Sequence, residues 1–173
     1  MKTNGKKFAT RTAIFLAAIM VLNSGAASYA AVTLTLDQKK KLQYLVEEEK
    51  LARDVYNYFS ANVTSQKFAN IAKAEQTHMT YIANLLKTYK VYNPAATTKP
   101  GVFKNTELQK LYNTLIASGK VGTTVAFAAG KLIEETHPAD LQKILTLKMP
   151  ADIQAALQSL LKGSENHLAA FSR

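Results

Sequence analysis

Ala74-Glu75-Gln76-Thr77-His78-Met79 is the stretch from which the rest of the chain can be read. On a helix, residues three apart project from one face, so Glu75 and His78 can hold one metal ion together. A lone Glu-x-x-His is common. This one gains weight from its company: the chain has three histidines, and His78 and His137 each follow a glutamate by three residues, Glu75 and Glu134. The third, His167, follows Ser164 by three. The pattern points to a helical bundle with a carboxylate and histidine cluster at its centre.

Outward from this stretch, the spacing predicts a helix over about 66–90, with Phe68, Ile71, Glu75, His78, Ile82, Leu85 and Tyr89 on one stripe. Upstream, a helix over about 37–62 carries Leu42, Leu45, Ala52, Tyr56 and Phe59, and Glu49 fills the one gap in that seam. A charge on an apolar stripe is costly to bury unless it is paired or bound to metal. Glu47 and Glu48 fall off the seam and read as solvated. Thr64-Ser65 is a short turn, which makes the two helices an antiparallel hairpin. The midpoint between Glu49 and His78, about residue 63, falls at this turn, so the constant helical rise brings them to about one height.

Residues 91–104, with Pro94, Pro100 and Gly101, form a crossover loop. Thr106 is the expected cap of a short helix over about 107–118. A third long helix starts near Val121, with Phe127, Gly130, Glu134, His137, Leu141 and Ile144 on its seam. Pro138 predicts a kink or break, because proline removes a backbone donor and costs about 3 kcal/mol inside a helix. A last helix begins near Ala151, with Ile153, Leu157, Leu160, Ser164, His167 and Phe171 in line. Gly163 beside this seam is expected to loosen the helix. The midpoint between Glu134 and His167, about residue 150, falls at the turn at Met149-Pro150. No segment alternates like a strand, so the fold class is all-α.

The first 30 residues read as a signal peptide rather than as part of the domain at 31–173. Lys2, Lys6, Lys7 and Arg11 precede the apolar run Thr12–Leu22, and Ser28-Tyr29-Ala30 predicts cleavage after Ala30. The alternative is an uncleaved anchor, for which the run is short. The expected location is secreted or periplasmic and cell-envelope, with no membrane association once the leader is gone. The whole chain carries 22 basic and 12 acidic residues, and loss of the four leader cations leaves a net charge of +6. The lysines are scattered without an aromatic pattern, which argues against nucleic acid as a partner. The chain contains no cysteine, so disulfides, thiolate metal sites and a cysteine nucleophile are excluded.

The metal candidates are Glu49, Glu75, His78, Glu134, His137 and His167, with Ser164 on the same seam. Carboxylates with imidazoles suit Fe, Mn, Zn or Cu better than Ca or Mg. Several alternatives stay open. Glu49 reads equally well as an exposed ion-pair member. His137 is a ligand or an exposed residue before Pro138. Glu135 replaces Glu134 if the proline rotates the helix. His167 is a ligand or a hydrogen-bonded core histidine. Tyr56, two turns beyond Glu49, is plain core, a hydrogen-bond donor to the site or an electron relay. Glu165 reads as solvated.

Glu49-Lys50-Leu51-Ala52-Arg53-Asp54-Val55-Tyr56, Phe68 to Met79, Phe103 to Gln109, Leu111-Tyr112, Ile133-Glu134-Glu135, Asp140-Leu141 and Gly163 to Leu168 together resemble a ferritin-like domain family of unknown function, found in bacteria and archaea and often preceded by a signal peptide. The resemblance runs from about Leu36 to Phe171. It implies a ferritin-like four-helix bundle related to rubrerythrins, ferritins and other di-iron carboxylate proteins. Their pattern is Glu, Glu-x-x-His, Glu, Glu-x-x-His on successive helices. Glu49, Glu75, His78, Glu134 and His167 match it. Ser164 stands where the pattern has a glutamate, and His137 where the closer family has an aspartate. The family itself has no assigned activity.

Three functions are consistent with this reading. The first is an exported protein with two iron ions and oxidase, ferroxidase or peroxidase-like chemistry on O2 or H2O2. Glu49, Glu75 and His78 would hold one ion; Glu134, His167 and His137 would hold the other; Glu75 or Glu134 would bridge. The second is a non-catalytic module sequestering Fe, Zn or Cu. The third is a structural helical domain with a vestigial site. Whether the protein is an enzyme is not readable from sequence.

Overall fold

A capping box opens the first helix, α1 (Leu36–Asn62). The Thr35 hydroxyl accepts from the Gln38 amide at 3.2 Å, and the Gln38 side chain accepts from the Thr35 amide at 2.7 Å. The computed structural model describes residues 33–173, and the expected leader with its cleavage point lies outside them. After a two-residue turn, Ser65 caps α2 (Gln66–Thr88) by accepting from the Lys67 amide. This helix closes with Lys90 in the left-handed region (φ 53°) and the Val91 amide donating to the Leu86 carbonyl. Leu86, rather than the expected Leu85, is the fully buried residue of that last turn.

The crossover leads into α3 (Thr106–Gly119), whose cap is Asn105 and not the expected Thr106. The Asn105 Oδ1 accepts from the amides of Glu107 at 2.9 Å and Leu108 at 3.1 Å. The crossover is tied to α1 by buried charges. Asp54 accepts from Lys50 Nζ at 2.6 Å and from the Gly101 amide at 2.8 Å, while Lys50 also donates to the Lys99 carbonyl and lies over the Phe103 ring. Glu47 accepts from the amides of Lys104 and Asn105 at the start of α3. The expectation that Glu47 and Glu48 are solvated is therefore wrong: both are buried. The stripe rule misses them because α1 is covered on several sides. It packs against α2, α3 and α4, and all eight residues from 45 to 52 are buried.

α4 (Thr123–Leu145) and α5 (Ala151–Phe171) make the second hairpin. α4 runs unbroken through Pro138, and Leu141 and Ile144 stay buried in register with Glu134 and His137. The proline removes one backbone bond, but the apolar contacts on both sides hold the helix together. Besides the hairpin contacts, α1 packs on α4 and α2 on α5. There are five helices and no strand among the described residues, and none of these helices is long and apolar enough to cross a membrane.

The four long helices share one plan. An aliphatic core holds Leu42 and Leu45 of α1, Ile82 and Leu86 of α2, Leu141 of α4, and Ile153 and Leu157 of α5. An aromatic-rich core holds Tyr56 and Phe59 of α1, Phe68 of α2 and Phe171 of α5, joined by Ala126 and Ile133 of α4. Between the two cores, all four helices place their polar seam residues at one level.

Candidate metal centre

α1 contributes Glu48 and Glu49 to this polar level, α2 contributes Glu75 and His78, α4 Glu134 and His137, and α5 Ser164 and His167. All are buried except His167, which is half-buried. Glu75 lies centrally. Its Oε2 is hydrogen-bonded to His78 Nδ1 at 2.9 Å, and its Oε1 lies 2.8 Å from His167 Nδ1. Glu49 reaches two imidazoles, His78 Nδ1 at 3.5 Å and His137 Nε2 at 3.2 Å. Glu134 Oε1 lies 3.6 Å from His167 Nδ1 and accepts from the Tyr56 hydroxyl at 2.7 Å. The equal-height argument from the two turns thus matches the observed separations of Glu49 from His78 and of Glu134 from His167. Glu134 faces inward, whereas Glu135 is exposed and lies 3.5 Å from Lys131.

Among the described residues, two groups have donor atoms mutually within 4.8 Å: Glu49, Glu75 and His78, and Glu75, Glu134 and His167. Glu75 belongs to both. His137 lies beside Glu49, on the side of the first group, and not with Glu134 and His167. Tyr56 belongs to the second group through Glu134, with the Gly130 carbonyl as a second acceptor at 3.2 Å.

Ser164 explains the orientation of His137. The Ser164 hydroxyl donates to the Leu160 carbonyl at 3.2 Å and therefore accepts from His137 Nδ1 at 3.1 Å. A proton on Nδ1 leaves Nε2 as the atom presented to Glu49. Ser164 and His137, the two positions that depart from the pattern the sequence resembles, are thus in direct contact. Gly163 shapes the other edge: a Cβ there would lie 2.5 Å from His78 Nε2. The residue expected to loosen α5 instead makes room for the His78 ring, which stacks on His167 with centroids 5.6 Å apart.

Seven buried atoms of this level make no aligned hydrogen bond, namely Glu48 Oε2, both Glu49 oxygens, Glu75 Oε1, Glu134 Oε2, His137 Nε2 and His167 Nδ1, although all but Glu134 Oε2 lie within 4.0 Å of a carboxylate or imidazole partner. Several lie close to one another without hydrogen-bond alignment. A buried oxygen with neither kind of partner, such as Glu134 Oε2, costs roughly 1–3 kcal/mol. Convergent oxygens and imidazole nitrogens that do not hydrogen-bond one another are suited to bind a shared cation, and this donor set fits Fe, Mn, Zn or Cu.

The electrostatics agree with the geometry. Burial alone would lower the histidines, but Glu49 and Glu75 outweigh it and hold His78 up at about 9. Against the same burial, Glu49 and Glu48 raise His137 to about 10, and Glu134 and Glu75 raise His167 to about 10. Glu75 is lowered, because His167 and His78 overcome its burial. Burial raises Glu134, and burial followed by Glu134 raises Tyr56 well above its ordinary value. Glu48 rises to about 8, chiefly through burial, although His137 opposes the shift. Without metal, imidazolium groups therefore balance the carboxylates. Glu48 was missed in the sequence because it falls off the α1 seam and is buried only by the helices that pack over α1.

Comparison with known proteins finds relatives but no function. The family model for an uncharacterized protein domain, DUF2202, matches residues 38–173. The uncharacterized protein MJ0754 of Methanocaldococcus jannaschii is 39% identical over 137 residues, spanning 79% of this chain and 74% of the relative. The crystal structure of hypothetical protein MJ0754 superposes with a TM-score of 0.78 at 37% identity, covering 81% of this chain and 80% of that one.

Proposed function

Because the chain belongs to the uncharacterized DUF2202 family, which brings no activity with it, we propose a function from the chemistry of its own polar layer: a ferritin-like metal-binding protein with two ions, iron foremost. The bundle reading is supported by the way each of the four long helices packs against two others around one polar level. The observation that carries the metal reading is the set of seven buried oxygen and nitrogen atoms that converge from facing helices without aligned hydrogen bonds. Glu49, Glu75, His78 and His137 would hold the first ion, and Glu75, Glu134 and His167 the second, with Glu75 shared.

Iron bound there would supply ferrous–ferric redox chemistry toward O2 or H2O2, in an oxidase, ferroxidase or peroxidase-like role. The chain's own residues orient the donors. Ser164 directs His137, Gly163 admits the His78 ring, and Tyr56 holds Glu134. The leader expected in residues 1–30 would direct the protein outside the cytoplasm.

A second reading is metal sequestration without turnover. It is favoured by His137, which puts an imidazole beside Glu49 where an additional carboxylate would better suit ferric charge.

The test is metal content. Protein lacking residues 1–30 and any metal-binding tag is loaded anaerobically with Fe(II), desalted and analysed for ions per chain, then exposed to air while oxygen uptake is followed. About two irons per chain with oxygen uptake is the expected result. One tightly held ion, or preference for Zn or Cu without oxygen uptake, would favour sequestration. No retained metal, and no rise in Tm with any of these ions, would leave a helical domain with a vestigial site.

A further inference from the structure

A second feature opens toward the polar level from outside. Between α1, α3 and α4 lies a pocket of about 130 Å³. Leu115 and Ile133, both buried, form its walls; Leu111 and Leu132, both exposed, flank its mouth. Glu48 and His137 also line it, and these are its charged or basic groups. Glu48 is more than nine-tenths buried, its Oε2 makes no aligned hydrogen bond and lies 4.0 Å from His137 Nε2, and Asp140 stands close to the same carboxyl group.

We propose that this pocket binds a small neutral molecule with an apolar body and one hydroxyl group, of the size of phenol, with the hydroxyl turned to Glu48. The size follows from the volume, since an apolar cavity of about 150 Å³ accommodates benzene. The apolar body follows from the leucine and isoleucine walls, which bind by removing apolar surface from water. The hydroxyl follows from the carboxyl oxygen that makes no aligned hydrogen bond. A hydroxyl can donate to that oxygen or accept from it, so it suits the group in either protonation state. A ligand carboxylate would lose its hydration against the leucine and isoleucine walls and is disfavoured. The inference deepens the metal reading, because His137 belongs to both features and the pocket would deliver its occupant to the first ion. The pocket itself needs no metal.

Phenol is titrated into metal-free protein carrying labelled leucine and isoleucine methyl groups, with benzoate and toluene in parallel. Saturable shifts centred on Leu115 and Ile133 are expected for phenol, with benzoate at least about tenfold weaker. Leu132→Trp, on the exposed rim, should cover the mouth and abolish the saturable shifts while the fold is retained. Glu48→Leu should reverse the preference, so that toluene binds better than phenol. No saturable shift in the pocket methyls, equal binding by benzoate, or undiminished binding in Leu132→Trp would overturn the proposal. Iron counts on the same preparations are read independently, so the pocket and the metal centre can each fail without the other.

Discussion

Ser164 Oγ and His137 Nδ1 lie 3.1 Å apart across the α4–α5 hairpin, and this one contact joins the two positions at which the chain departs from the pattern it otherwise resembles. A glutamate at 164 would have brought a carboxylate into the polar level from α5. Serine is too short to reach an ion shared with the other helices. It instead holds an imidazole from α4, which reaches Glu49. Against the pattern the sequence resembles, an imidazole at 137 would stand in for a carboxylate at 164.

Ser164→Ala should therefore weaken metal binding by about tenfold to a hundredfold, because it frees the ring that presents Nε2. Loss of the buried hydrogen bond should also lower the stability of the metal-free protein by about 1 kcal/mol. Competition against a chelator measures the first effect and urea unfolding the second. Unchanged affinity with the expected loss of stability would show that Ser164 is structural and that His137 does not bind metal.

Gly163→Ala tests the close approach of α5 to His78. In an exposed helix this change stabilises by about 1 kcal/mol. Here the new Cβ would lie 2.5 Å from His78 Nε2, so the sign should reverse. The ring must move, and metal affinity should fall with stability. Thermal unfolding with and without metal would check both. A stabilised variant with unchanged affinity would remove Gly163 from the account of the site.

Much of this arrangement could be read from the chain because helical periodicity places residues directly. Glu49, Glu75, Glu134 and His167 each occupied a gap or a step in an otherwise apolar stripe, and the two tight turns fixed their relative heights. Glu47 and Glu48 could not be placed this way. Their burial depends on the crossover and α3 folding back over α1, a tertiary fact with no local period. The role of Gly163 was hidden for the same reason, since the ring it accommodates comes from α2. Pro138 misled in the opposite direction: its local cost is real, but the packed stripe on either side holds α4 together.

Metal uptake should release protons. His78, His137 and His167 are raised to about 9, 10 and 10, so all three carry protons at pH 7 in the metal-free chain, and binding must displace them. About three protons per chain should appear on full loading at pH 7, and affinity should rise with pH. Calorimetry in two buffers of different ionisation heat counts them. The metal-free protein should show a linked stability effect. Groups whose folded pKa lies above the unfolded value stabilise fully below about 6.5 and lose that contribution as pH climbs through 9 to 10. Its Tm should therefore fall between pH 7 and 10. Binding without proton release would mean that the histidines are not ligands.

Tyr56→Phe separates a positioning role from an electron-relay role. The Tyr56 hydroxyl is fully buried and donates to Glu134 Oε1 at 2.7 Å, while its ring packs against Phe171 and Phe68. Phenylalanine keeps the ring and removes only the donor. Glu134 is then left with a buried oxygen that has lost its partner, at a cost of about 1–3 kcal/mol in the metal-free protein. A bound cation would satisfy that oxygen, so the Tm deficit should shrink on metal loading. Metal stoichiometry should be unchanged, since Glu134 and His167 remain. If Tyr56 only positions Glu134, oxygen uptake by the iron-loaded variant should fall no further than its metal affinity accounts for. A much larger loss of uptake at full iron occupancy, with stability restored, would instead assign Tyr56 to electron transfer.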